Sequence, residues 1–560
     1  MPSLRATLLL CLALPACTPD AGGDTGDAST TGAASTATPT TGTPTTGTPT
    51  TGTPTTGAET GLGGPSSSEG GTTEEPLEPL PPLDSPVPLT DTELRNPTHV
   101  RDEEHLIDPR IPADVAKGLA EGYGEIELAP GEPVLPRTLD DLPAPAPGPA
   151  PKLLVRFVHL ADTQLSDDES PARLANFDEA ADGAFRPQEG HLCRMLNAAA
   201  RTINRLHIDR PLDFVLLGGD NTDNAQSNEL EWFLKILDGA PRVECDSAVD
   251  NDVIPGPDND PKDPFGPVAL DVPWRWVTGN HDLLRQGTWP TSAYLGEPIG
   301  VTATGGTRDY SQPGSPLVTG TGTVIADPKR AFVMEADQLM RVASAGDGHG
   351  ITPEALELGR AFYTFDVEGT PLRIFVISTA AATGASTGLI RQADIDAIIE
   401  PTLQAAAADD KYVIITSHHR ASSLDIGSEF GVGEKFADAL TGNDWTAYLG
   451  GHDHVILHLA AHSHTMHVDP KQPLGGHAHW EVASPALADF PHELRLMEIW
   501  DQDNGGLTIR SIAFDFAADD DPIAATGRTL GVMDFTSRWG GDGRGPNAND
   551  RNVELFIATP

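Results

Sequence analysis

V-T-G-N-H-D, residues 277–282, follows a short apolar run (Val272, Trp274, Trp276) and ends in an amide, an imidazole and a carboxylate: Asn280, His281 and Asp282. The pattern reads as a strand that stops abruptly in a tight turn carrying metal-ligand side chains. The same grammar recurs in L-L-V-R-F-V-H-L-A-D (153–162), F-V-L-L-G-G-D (214–220), Y-V-I-I-T-S-H-H (412–419) and W-T-A-Y-L-G-G-H-D-H (445–454). Five strand ends bearing Asp, Asn and His are what a two-metal site at one edge of a layered α/β sheet requires.

Between these stretches the chain alternates strand and helix. Leu153 to Leu160 is a near-continuous apolar run of the buried kind. Leu192, Met195, Leu196, Ala199, Ile203 and Leu206 then fall on one helical face. Phe214 to Leu217 is the next strand, a further helix covers Asn228 to Leu237, and residues 284–360, rich in Gly, Thr and Pro, read as an insertion over the strand ends. Two runs split by Glu368-Gly369-Thr370 signal a hairpin. A helix at 391–407 and strands at 412–416 and 445–449 follow, and the alternating end (480–500, 507–516) is expected to supply the second sheet.

The first quarter of the 560 residues is of another kind. Arg5, the apolar run Leu8 to Leu14 and the ending L-P-A-C mark residues 1–16 as a signal peptide with Cys17 as a lipidation site. The apolar run is too short to span a bilayer. T-P-T-T-G repeats through 38–57, so 17–90 reads as a flexible tether with almost nothing apolar to offset its chain entropy. Residues 91–150 form a Pro-rich extension, 151–516 the folded domain and 517–560 a C-terminal extension. The expected location is outside the cytoplasm, membrane-anchored through lipid alone and facing the periplasm or cell surface.

The formal charge of −46, from 82 acidic and 36 basic residues, argues against a nucleic-acid-binding surface, which needs a basic stripe. With Cys11 lost with the signal and Cys17 lipidated, Cys193 and Cys245 either pair in an oxidising compartment or stay free. The loop 241–270, crowded with Asp and Asn, is read as a solvated insertion in preference to a calcium loop, since it lacks the full D-x-[DN]-x-[DN]-G spacing.

Taken together, D-x-Q (Asp162, Gln164), G-D-x-x-D (219–223), G-N-H-D (279–282), H-H (His418, His419) and G-H-x-H (451–454) resemble, in content and order, the calcineurin-like metallophosphoesterase family over roughly 152–515. The resemblance implies a four-layer α-β-β-α double β-sandwich with two divalent metals, manganese, iron or zinc, at its loop edge. It assigns Asp162, Gln164, Asp220 and His454 to one metal and Asp220, Asn280, His418 and His452 to the other, Asp220 bridging. It further implies hydrolysis of a small-molecule phosphate mono- or diester by a metal-bridging hydroxide. His281 would stabilise the transition state or protonate the departing alkoxide, with Asp282 orienting it. Gln164 departs from the family's usual His, and an amide oxygen is the weaker ligand, which puts full dinuclear occupancy in question. Of His418 and His419 the first is the expected ligand.

Other features are weighed beside these. Arg173 and Arg330 read as surface arginines in preference to phosphate clamps. His462, His464, His467, His477 and His479 read as a polar hairpin beside the site in preference to a further metal centre. Two rival functions are carried: a serine hydrolase using Ser386 in G-A-S-T-G (384–388), and a catalytically silent tethered binding lipoprotein. The first requires Ser386 in a sharp strand-to-helix turn, yet it lies seven residues beyond Thr379.

Overall fold

The structure, a computed structural model, describes residues 75–140, 142–178, 183–248, 254–309, 317–429 and 431–559. The signal peptide, Cys17 and most of the tether lie outside the described residues.

In chain order the elements that frame the site are β1 (Leu135–Thr138), β2 (Lys152–Leu160), α1 (Leu192–Asp209), β3 (Phe214–Leu217), α2 (Ser227–Asp238) and β4 (Trp274–Arg275). After the insertion come β5 (Tyr363–Asp366), β6 (Leu372–Val376), α3 (Glu400–Ala408), β7 (Tyr412–Thr416), α4 (Gly442–Leu449), β8 (Val455–Ala460), β9 (His467–Lys471) and β10 (His479–Ala483). The chain closes with β11 (Glu493–Asp501), β12 (Gly506–Asp515), α5 (Pro522–Thr536) and β13 (Val553–Ala558).

Two sheets form. One runs β1-β13-β12-β11-β2-β3-β4 and the other β5-β6-β7-β8-β10-β9. Strict alternation of side chains builds the layers from them. Phe214 and Leu216 of β3 face Ile374 and Val376 of β6 and Ile414 of β7 in a core between the sheets. Val215 and Leu217 point the other way, into Leu196, Ile203, Phe233 and Ile236 of α1 and α2. On the far side Phe375, Val413 and Ile415 pack on Leu403, Trp445 and Leu449 of α3 and α4. This is the expected α-β-β-α double sandwich. Within each sheet β2, β3 and β4, and likewise β6, β7, β8 and β10, run parallel, so their C-terminal ends share one edge.

Several expectations change. Residues 445–449 are helical, because Thr441 Oγ1 and Asp444 form a capping box that starts α4; the strand begins only at Val455. The late strands divide: β10 joins the second sheet, whereas β11 and β12 join the first, β11 antiparallel to β2. Residues set apart as extensions at both ends are woven into the first sheet, β13 pairing with β12 and, in parallel, with β1. Cys193 and Cys245 form a disulfide across 52 residues, tying α1 to the loop after α2. In the acidic loop Lys262 Nζ lies 2.7 Å from Asp168, 3.6 Å from Glu169 and 3.8 Å from Asp246.

Candidate metal centre

The shared strand edge is built from residues whose backbones most side chains avoid. Asp162, Gln164 and Asp220 all adopt positive φ (48°, 39° and 51°), a conformation costing on the order of 1 kcal/mol or more for a non-glycine residue. Hydrogen bonds between the two loops hold them there: Asp162 N–H donates to Gly219 O (3.1 Å) and Gln164 N–H to Asp220 O (2.9 Å). The glycines before the carboxylate and the amide are sterically required. A Cβ on Gly219 would meet His418 Nδ1 at 2.7 Å, and one on Gly279 would meet Asp220 Oδ1 at 2.1 Å.

Asp162, Asp220 and His418 present ligand atoms that all lie within 4.8 Å of one another. His418 Nδ1 donates to Gly218 O (2.7 Å), which leaves Nε2 facing Asp220 Oδ2 at 3.1 Å and Asp162 Oδ1 at 4.0 Å. Asn280 Nδ2 donates to Gly287 O (2.9 Å), so its oxygen is left over. Gln164 Oε1 and Asn280 Oδ1 are buried without a hydrogen-bond partner, and Asp162 Oδ1 and His418 Nε2 have only ion-pair contacts, with His464 and Asp220. Each unpartnered atom costs about 1–3 kcal/mol. Divalent cations would satisfy these four atoms together, so the donor set fits the metals the resemblance implies.

The electrostatics agree. Burial pushes the His418 imidazolium down, but the Asp220 carboxylate, with Asp162 behind it, raises it to about 9. Burial raises Asp220, and His418 and His281 overcome that to hold it far below the usual carboxylate range. A proton between Asp220 and Asp162 thus does in part what a cation would do. His419 differs: Nδ1 lies 2.9 Å from Thr379 Oγ1 and Nε2 3.0 Å from Ser386 O, and burial followed by His418 depresses it to about 3.

Two expected ligands are elsewhere. His452 Nε2 lies 3.3 Å from Glu400 Oε2, and the His454 carbonyl accepts from Val413 N–H (2.8 Å) at the start of β7. Both precede β8, whose six residues separate them from the site by on the order of 20 Å. The histidines at the other end of β8 take the position instead. His462 N–H donates to Asp162 Oδ2 (3.3 Å), and its ring lies 5.1 Å from that of His418. His464 Nε2 lies 3.4 Å from Asp162 Oδ1, and its Nδ1 lies 2.6 Å from Asp489 Oδ2. The polar-hairpin reading therefore gives way for these two. The signal was legible: V-I-L-H-L-A-A followed by H-S-H is an apolar run ending in ligand side chains, the grammar of the other strand ends.

His281 lies beside this group, its N–H donating to Asp220 Oδ1 (2.8 Å). Its Nδ1 lies 2.9 Å from Asp223 O and 3.1 Å from Asp223 Oδ1. Asp223, not Asp282, thus orients the imidazole. Asp282 instead accepts from Gly279 N–H (2.8 Å), Asn221 N–H (3.0 Å) and Thr222 N–H (2.9 Å), clamping the two turns together. The sequence places Asp223 in the G-D-x-x-D turn after Asp220 without giving it a role; only the folded turn brings it against His281.

Neither arginine is at the surface. Arg173 is buried between Asp223 and Glu189, and Arg330 donates to Asp167 (2.9 Å). Arg186 binds Asp489 with two bonds (2.6 and 3.2 Å) and lies 3.8 Å from Asp223, joining the carboxylates behind His281 and His464. A cavity of about 410 Å³ opens over the group, and Gln286, Thr288 and Trp289 of the insertion line it.

A family model described as calcineurin-like phosphoesterase matches residues 155–456, more than half of the chain, and the chain belongs to that family. It is a metal-dependent phosphoesterase, and the family implies divalent metal ions. Among solved structures, a dimetal phosphatase from Danio rerio is similar at 11% identity and a TM-score of 0.36, over 65% of this chain and 100% of that one. A purple acid phosphatase from yellow lupin (Lupinus luteus) seeds is similar at 12% identity and a TM-score of 0.26, over 69% of this chain and 54% of that one. No curated protein matches in sequence.

Proposed function

We propose that the chain hydrolyses a phosphate mono- or diester at a dinuclear centre held by Asp162, Gln164, Asp220, Asn280, His418, His462 and His464, with Asp220 shared between the ions. The observation that carries this is the grouping of Asp162, Asp220 and His418 ligand atoms within 4.8 Å of one another, beside a cavity lined by Gln164, Asp220, Asn280, His281, His462 and His464, with the Gln164 and Asn280 side-chain oxygens buried and unpartnered. Divalent ions bound there supply an activated water and neutralise phosphoryl charge.

The chain's own residues do the rest. Asp223 occupies His281 Nδ1, which leaves Nε2 to meet the phosphoryl oxygen or the leaving group. His418 Nδ1 and His464 Nδ1 are engaged by Gly218 O and Asp489, which fixes Nε2 as the ligand atom in each. The test is hydrolysis of p-nitrophenyl phosphate and of its bis ester with added manganese, together with the metal content of the protein. Asp220→Asn and His281→Ala should each lose at least tenfold in rate, His281→Ala with its metal retained. Equal rates in wild type and both variants overturn the reading.

Neither rival function has comparable support. Ser386 Oγ bonds Glu429, and His419 bonds the Ser386 carbonyl, so among the described residues no histidine base stands at the hydroxyl. A silent binding protein would leave the paired His281 and Asp223 without a purpose.

We further propose export and lipid anchoring at Cys17, which the Cys193–Cys245 disulfide supports, since such bonds persist in oxidising compartments. Labelled fatty acid should enter the wild-type chain and not Cys17→Ser.

A further inference from the structure

The insertion lays a hairpin against the reacting groups. Leu284–Arg285 pairs antiparallel with Trp289–Pro290, and Gln286, Gly287 and Thr288 make the turn between them. Three bonds hold that turn on the site: Gln286 N–H donates to Asn224 Oδ1 (3.1 Å), Gln286 Nε2 to Asp223 Oδ2 (2.8 Å) and Asn280 Nδ2 to Gly287 O (2.9 Å). Gly287, at φ +62°, comes so close to His281 that a Cβ on it would meet both Cδ2 and Nε2 at 2.3 Å. The turn thus runs along the edge of the imidazole that carries Nε2.

That edge is where a leaving group departs. When the bond from phosphorus to the leaving oxygen breaks, the oxygen takes the proton held on His281 Nε2, and the group bonded to it starts beside the turn. Trp289 stands two residues beyond Gly287, so their Cα atoms are within about 7 Å. It is partly exposed and lines the same cavity as His281. Most other rings of the cavity are covered: Arg110 lies over Trp539 (4.1 Å), Arg544 over Phe490 (4.9 Å), which also stacks on Phe535, and Arg308 over Phe185 (4.2 Å). Among the described residues no ring or cation lies on Trp289 or Phe177, and of these two only Trp289 belongs to the hairpin beside His281.

We propose that this hairpin is the platform for the leaving group and that Trp289 selects phosphoesters whose leaving group carries a planar aromatic ring. The inference rests on the phosphoesterase reading and names its substrate class. An uncovered indole in a cavity wall stacks on a flat ring and gains more than the area it buries, whereas a puckered saturated ring of the same size gains the area alone. A cavity of about 410 Å³ is within the range of small-molecule sites.

The experiment compares benzyl phosphate with cyclohexylmethyl phosphate on the full chain loaded with manganese, two primary alkyl esters of similar size that differ in the flatness of the ring. Benzyl phosphate should be favoured about three- to tenfold in kcat/KM, mainly through KM, the size of one aromatic pair. In Trp289→Leu, checked for fold by its melting temperature and for loading by its metal content, the ratio should fall toward one, and in Trp289→Phe it should persist. Equal kcat/KM values in wild type, or a preference that survives in folded Trp289→Leu, overturn the platform. Should Trp289→Leu not fold, fluorine NMR on 5-fluorotryptophan-labelled protein decides, the Trp289 resonance being the one missing from Trp289→Phe. Benzylphosphonate moving that resonance by its ring current, with cyclohexylmethylphosphonate leaving it in place, supports the proposal, and equal behaviour of the two sinks it. The two readings fail separately. A benzylphosphonate-specific shift without turnover of any phosphoester removes the enzyme and keeps the platform, whereas turnover of p-nitrophenyl phosphate with no preference in the matched pair does the reverse.

Discussion

Asp223 and Asp282 stand three residues beyond Asp220 and two beyond Asn280, and they do different work. Asp223 is pulled to about 2, burial being outweighed by Arg173 and by its bond to His281, so it is a fixed negative charge behind the imidazole. Asp282 is pushed up to about 7 by burial and the neighbouring Asp220, and it spends its oxygens on three backbone N–H groups. Asp223→Asn should therefore lower kcat by about 10- to 100-fold with metal retained, because it frees the imidazole, and should also lower the melting temperature, because Arg173 loses a buried carboxylate partner. Asp282→Asn should lower the melting temperature and, with it, metal retention, since an amide cannot accept what the carboxylate accepts. Metal content and steady-state rates on the two variants separate the roles.

At the scale of elements, one fact decides which histidines matter: parallel strands present their C-terminal ends together. G-H-D-H at 451–454 has the content of a ligand motif and sits in the link from α4 to β8, at the opposite edge from His418. H-S-H at 462–464 has the edge right. The matched family range ends at residue 456, so it takes in the first motif and stops short of the second. Alanine at His462 and His464 should each strip bound metal and activity by at least tenfold, whereas alanine at His452 and His454 should leave both near wild type. Metal content by mass spectrometry reads the difference directly, and loss of metal from His452→Ala would reverse the assignment. His464 also ties the centre to Asp489, Arg186 and Asp223, so the two sides of the site share one buried ion network.

Across the whole molecule, the first sheet closes only when both ends of the chain arrive. β13 pairs with β12 over six residues, and α5 places Ala524 in the core with Leu192, Met195 and Ile203 of α1. Removing 522–560 should accordingly yield insoluble or unfolded protein, not a trimmed enzyme, as circular dichroism and solubility would show. Stability should also respond to pH through Glu493 on β11. Burial raises its carboxyl to about 7, Arg551 opposing and Asp515 reinforcing, from an unfolded value near 4.5. Between those limits the unfolded chain gives up its proton before the folded one does, so this group's contribution to stability falls as pH rises from ~4.5 to 7. Glu493→Gln should flatten that part of the melting-temperature profile; an unchanged slope would assign it to other groups.

Local pattern carried far in this chain. Alternating Phe214-Val215-Leu216-Leu217 and Tyr412 to Thr416 announce strands buried on both faces, and the polar turn after each marks an edge, so the layered fold and Asp162, Gln164, Asp220, Asn280, His281 and His418 could be read in order along the chain. Those features depend on neighbours a few residues apart. What the tertiary structure alone decided depends on which end of an element faces the site. A capping box at Thr441 turned an apparent strand into a helix and moved His452 and His454 to the far edge, while a turn folded Asp223 onto His281 and strand pairing carried residues beyond 517 into the sheet. Direction and long-range pairing are properties of the packed chain, and no window of sequence contains them.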